Sequence, residues 1–234
     1  MPITLENGFY VSHDLSHVSC IGIETDRLDD CIAIAKCKNF KGVFGNPSFG
    51  FGGVNLNFLH NLPRIEAVWF WDVNLKNIDG LYSLSNLQFF GISPTRPSVD
   101  FSRFTKLRKV IIEPKAQDRG LGVLKKVELL HIWHYRPKQM NFLAFEFPES
   151  ISELQINWAN IFSLDSLPRL SKLRRLEVHR CRNLEHLGDL GAKFPLLEYL
   201  IIDSCGKVPL DEGERVVKDL TNLTHASVKN TKLV

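Results

Sequence analysis

"LRRLEVHRC" (173–181) and "LEYLIIDSC" (197–205) are two versions of one nine-residue phrase. Both carry apolar residues in the first, fourth and sixth places and a cysteine in the ninth. Looser versions begin at Ile65, Leu87, Leu107, Val127, Ile151 and Leu223, so successive starts lie 20 to 26 residues apart. A phrase returning at such a period marks a chain built by repetition of one short unit. Its fourth and sixth places are two residues apart, the spacing of side chains on one face of a strand.

Between phrases the apolar residues recur every third position, as in Leu75, Ile78, Leu81, Leu84 and Leu87, and again in Ile161, Leu164, Leu167, Leu170 and Leu173. A long α-helix drifts off a strict period of three, whereas short 3₁₀ or extended segments keep it. The return limb of each unit is therefore expected to be 3₁₀ or irregular. One unit cannot bury its own apolar edge and must stack on its neighbours.

With the pattern LxxLxLxx(N/C)xL matched almost fully at 173–184 and 197–208, the chain resembles the leucine-rich-repeat family over about residues 40–234. It departs from that pattern in the ninth place, where Val73, Thr95, Lys115, Tyr135, Ala159 and Thr231 replace Asn or Cys. The resemblance implies an α/β repeat solenoid, right-handed and curved, with a parallel concave sheet of about 8–9 strands and a mostly 3₁₀ or irregular convex side. Cys181 and Cys205, one coil apart, are then expected as buried small side chains and not as reactive thiols.

The open end of such a stack needs covering. Residues 1–39 are expected to form an N-terminal cap of two extended segments and a helix over 26–38, leaving 40–234 as the repeat domain. Thr25 stands where an N-cap belongs, with Asp26, Asp29 and Asp30 in the first turns. "FKGVFGNPS" (40–48) reads as a degenerate ninth strand, and "LDEGERVVKDL" (210–220) as a helix inserted before the last phrase.

If the first, fourth and sixth places point inward, the third, fifth, seventh and eighth line or border the concave face. All four tryptophans fall there: Trp69 in a fifth place, Trp71 and Trp133 in sevenths, Trp158 in an eighth. Phe44, Phe89, Ile111, His131 and Tyr199 join them, flanked by Glu113, Arg175, Glu177, His179, Arg180 and Asp203. Aromatics and arginine gathered on one surface are the composition of a protein-binding site. These residues are the candidate partner-binding set. A cap or loop folded over the rings is the competing explanation.

The net charge of +3 is too small to demand a polyanion, so neither a nucleic acid nor a membrane is expected as partner. Five dispersed cysteines without a CxxC pair fit a reducing compartment. The N-terminus lacks the pattern of a signal peptide and no run of 18 apolar residues follows, so the expected location is the cytoplasm. His131 and His134, three apart on a strand, face opposite ways and make no metal site. Ser204 beside Asp203 has no evident base, and "FGNPSFGFGG" (44–53) lacks the lysine of a phosphate loop.

The expectation is a non-enzymatic module without cofactor or metal that binds a protein partner, in a scaffolding, sequestering or inhibitor/immunity-type role. Carbohydrate or small-ligand binding through the tryptophans is the second reading. Self-association into a homodimer through the concave face is the third.

Overall fold

The structure, a computed structural model, describes residues 2–15 and 17–234. It divides into two compact units, Met1–Arg119 and Gly120–Val234. In the first, β1 (Thr4–Glu6), β2 (Phe9–Leu15) and β3 (Val18–Gly22) pair antiparallel in chain order. From β3 onward the pairing is parallel, through β4 (Gly42–Gly45), β5 (Ala67–Asn74), β6 (Phe89–Thr95) and β7 (Lys109–Ile112). In the second unit, β8 (Leu129–Trp133), β9 (Glu153–Asn157), β10 (Arg175–His179), β11 (Tyr199–Asp203) and β12 (His225–Val228) are parallel neighbours in the same way. β13 (Thr231–Lys232) turns back antiparallel on β12.

Every strand from β5 to β12 starts at the third place of its phrase, and equal places pair across strands: Val68 with Phe90, Leu154 with Leu176, Leu176 with Leu200. Within each unit that register puts fourth- and sixth-place side chains in inward columns, and none of these side chains in β5 to β12 is more than 2% exposed. Each such side chain contributes about 1.5–3 kcal/mol by leaving water. The three-residue comb is backbone made visible. Leu81 donates to the carbonyl of Ile78, Leu84 to Leu81 and Leu87 to Leu84, at 2.9, 3.1 and 3.3 Å, successive i→i+3 bonds around a 3₁₀ turn at Asp79–Ser83. Similar turns occupy Asn57–Asn61 and Phe101–Arg103.

The expected ninth strand is β4. Gly45 takes the sixth place there because a Cβ would lie 2.5 Å from the ring of Phe70 and 2.8 Å from that of Phe51. The helix expected over 26–38 is shorter: Thr25–Arg27 is a 3₁₀ turn and α1 runs Leu28–Cys37, burying Cys31, Ile32 and Ala35. Thr25 does not cap it. Its hydroxyl accepts from the amide of Gly52 at 2.8 Å, holding the following coil instead. A single short turn, α2 (Leu190–Lys193), and the expected inserted helix, α3 (Leu210–Asp219), complete the second unit.

Strand ends follow a second regularity. The eighth-place residues Asp72, His134, Trp158, Arg180 and Ser204 all have left-handed backbones, with φ between 51° and 57°. This turn aims the amides of His134, Trp158 and Arg180 at seventh-place carbonyls of the next coil, each at 2.9 Å. Two phrases cannot do this, because Pro94 and Pro114 stand in their eighth places and proline holds φ negative and has no N–H.

There the loops are organised by a buried ion pair that the sequence reading did not contain. Arg96, whose side chain is 0% exposed, makes two 2.7 Å bonds to the Asp118 carboxylate, which is 10% exposed and also accepts the amides of Val99 and Lys115. Removing one partner strands a buried charge, so Asp118→Ala is expected to cost about 3–5 kcal/mol in urea unfolding, and adding Arg96→Met to recover part of it. Leu176→Ala is expected to cost about 2–5 kcal/mol, against less than about 0.5 kcal/mol for the outward Glu153→Ala. Equal losses for those two would contradict the assigned inward column.

Candidate functional site

The outward places of the first unit form a continuous aromatic group. Cys20, Phe44, Ala67 and Phe89 are buried at its base, and Ile3, Tyr10, Val18, Phe49, Trp69, Trp71 and Ile111 pack against them. Phe44 stacks under Trp71 at 6.1 Å, Phe49 meets Trp71 edge-on at 6.0 Å, and Tyr10 meets Phe49 at 5.1 Å. Trp69 lies 5.5 Å from Trp71 and 5.8 Å from Phe89. Phe44 and Phe89 are thus not free surface, as their outward places suggested, since they are 0% and 4% exposed. Phe44 is covered because the turn at Pro47–Phe49 brings Phe49 edge-on to its ring at 6.2 Å, beside Tyr10 of β2, whereas Phe89 lies against Trp69 of the neighbouring strand. Gly22 makes room for this cover, because a Cβ there would sit 3.0 Å from the ring of Phe44.

Asn46 holds the cover in place. Its amide nitrogen donates to the Trp71 carbonyl at 3.0 Å and to Asp72 Oδ2 at 3.1 Å, and its Oδ1 caps the turn by accepting from Ser48 at 2.8 Å. Asn followed by Pro is a readable turn start, and the sequence reading passed over it. Trp69, Trp71 and Ile111 remain half-buried and accessible. Glu113 stands apart from the rings, 3.8 Å from Lys115, with its carbonyl 3.4 Å from Arg96.

In the second unit the outward residues fall into two groups. Along the third places, the Arg175 guanidinium lies 3.8 Å over the Tyr199 ring, which stacks on His225 at 4.4 Å. Arg175 also pairs with Glu177, whose other oxygen lies 2.9 Å from His179 Nε2, while His179 Nδ1 lies 3.8 Å from Asp203. The second group stands at the strand ends. His134 stacks on Trp158 at 5.3 Å, Arg180 lies 4.7 Å over the same ring, and Trp133 is 5.4 Å from it. The left-handed backbone of the eighth place brings these side chains into one column.

Burial pulls the Glu177 carboxyl upward, but hydrogen bonds from His179 and Arg175 outweigh it and hold the group below the ordinary range. Burial also drives His131 down from 6.5 to about 4, with Glu177 opposing and Arg175 assisting. The unfolded chain therefore takes up the His131 proton first. The stability gained by keeping the ring neutral is complete above pH 6.5 and falls as the pH drops toward 4. Glu177 acts in the same sense at lower pH, its contribution present above the unfolded carboxylate pKa and lost as pH falls through the folded one. His131→Gln is expected to flatten the loss of stability between pH 6.5 and 4, followed by urea midpoints across that range. A slope unchanged from wild type would contradict the assignment.

Cys181 and Cys205 are fully buried free thiols that donate to the carbonyls of His179 and Asp203 in their own coils, at 3.5 and 3.4 Å. Among the described residues no group of three or more His, Cys, Asp and Glu is placed to hold a metal ion, and no helix is long and apolar enough to cross a membrane.

No protein-family model matches the sequence, and no curated protein does. Among solved structures the chain is similar to an internalin from Listeria monocytogenes, with a TM-score of 0.52 at 17% sequence identity. The match covers 85% of this chain and 64% of that one, so the chain spans a little under two thirds of the internalin structure. Identity at that level carries the fold alone. With the parallel strand series and the 3₁₀ return limbs, the fold is a leucine-rich-repeat solenoid.

Proposed function

We propose that this chain is a non-enzymatic interaction module that takes a protein partner on the open face of its sheets, with residues 1–39 closing the N-terminal end of the repeats at 40–234. The supporting observation is that rings and charges on that face are half-exposed yet held rigidly by one another, as in Arg175–Tyr199–His225 and His134–Trp158–Arg180. Tryptophan, tyrosine and arginine dominate interface energies when they are ordered before binding, because little side-chain entropy remains to be lost. Trp69, Trp71, Trp133 and Trp158 supply apolar contact in this reading. Glu113, Arg175, Glu177, His179 and Asp203 set orientation, and Phe89, Ile111 and His131 support the rings from below.

The carbohydrate reading is weaker on the same observations. Sugar stacking needs a free ring face, and Trp158 is already engaged by His134 and Arg180, as Trp71 is by Phe44 and Phe49. A face already organised into stacks and ion pairs acts by binding: scaffolding, sequestration or inhibition, including an immunity-type role. The five free cysteines favour a reducing cytoplasm.

Co-purification from the native source tests this, comparing wild type, the face variant Trp71→Ala/Trp133→Ala/Trp158→Ala and the return-limb variant Val123→Ala/Leu143→Ala, each verified as folded by circular dichroism. A partner held by wild type and by the return-limb variant, and bound at least about tenfold more weakly by the face variant, is expected. Equal retention by all three contradicts the proposal. A concentration-dependent dimer abolished by the face variant would replace it with self-association.

A further inference from the structure

The strands of the second unit are parallel and in register, so all their C-terminal ends lie along one edge. The segments leaving that edge are 134–141, 158–163, 180–186, 204–209 and 229–232, and the single carboxylate in them is Glu185, which pairs with Lys207 at 2.9 Å. Against it stand Arg136, Lys138, Arg180, Arg182, Lys229 and Lys232, all exposed and none in an ion pair among the described residues. The opposite edge is different. Segments 120–128, 143–152, 165–174, 187–198 and 210–224 hold ten acids to eight bases. A chain of net charge +3 thus keeps a concentrated positive rim on one edge of this unit, offset by an acidic surplus on the other.

Like charges gathered on one edge repel one another, and among the described residues none of these six cations is in an ion pair. Their placement gives a field that attracts and orients an oppositely charged surface. The rim adjoins the Trp133–Trp158 group and includes Arg180, so steering and apolar contact are continuous. We infer that this edge receives an acidic protein segment, rich in Asp and Glu, whose charges meet the rim as its apolar residues meet the tryptophans. This rests on the reading of the open face as a protein-binding surface. A nucleic-acid backbone fits less well, because Glu153, Glu177 and Asp203 on the adjoining face would oppose a uniformly charged strand crossing it.

The test uses the full chain and fluorescence anisotropy with a labelled Glu/Asp-rich peptide containing one tryptophan, and a labelled DNA duplex of similar charge. Arg136→Gln/Lys138→Gln/Arg182→Gln removes three rim charges whose side chains are exposed and not ion-paired among the described residues. Lys125→Gln/Lys126→Gln/Lys172→Gln removes three elsewhere on the same unit. The expected result is peptide binding weakened about tenfold or more at low salt by the rim variant, with the other variant close to wild type. Equal effects of the two variants, no peptide binding by wild type, or tighter binding of the duplex than of the peptide would overturn the inference. The proposed function fails separately, when the face variant keeps its native partner; a rim variant that loses the peptide while the face variant keeps the partner sinks that reading alone.

Discussion

Everything in this chain depends on equal places of the phrase stacking in register. A single coil presents one inward stripe of about three apolar side chains, too little to hold itself together. Stacked, Leu154, Leu176 and Leu200 become one column, and the Ile156, Val178 and Ile202 column runs beside it. The same registration that closes the core repeats the outward places as columns. A surface ladder such as Arg175–Tyr199–His225 is a consequence of core packing, because parallel pairing brings third places about 4.8 Å apart.

Strand ends are where the two units acquire individual character. Most phrases leave the strand through a left-handed eighth residue whose amide bonds to the next coil, and this places Trp158 between His134 and Arg180. The two phrases with proline there need another device, which is the Arg96–Asp118 pair with its backbone bonds. Buried ion pairs are an expensive way to order a loop, because both charges must leave water.

Much of the fold was legible because a period of two and a period of three are both local patterns. Val68 and Phe70 were assignable as core, and Trp69 and Trp71 as outward, from their places alone. What covers an outward residue is not local. Phe44 is buried beside Phe49 and Tyr10, from turn and cap segments outside the phrase, and Phe89 lies against Trp69 of the neighbouring strand. Thr25 looked like an N-cap, but tertiary bonding to Gly52 claimed its hydroxyl. The Arg96–Asp118 pair joins residues 22 apart with no motif between them, so only the fold shows it. The basic rim was hidden for a simpler reason: its cations are scattered singly along the sequence and gather only when parallel strand ends align.

The central claim is that the open face, and not the return limb, is where this protein meets its partner. Hydroxyl-radical footprinting of the chain alone and in its purified complex tests it most directly, since both sides carry reactive exposed side chains. The account expects oxidation of Trp71, Trp133, Trp158 and Tyr199 to fall on complex formation, with Leu143, 80% exposed, and Val123, 63% exposed, unchanged. Protection confined to Val123 and Leu143, with the four open-face rings oxidised as before, would contradict it.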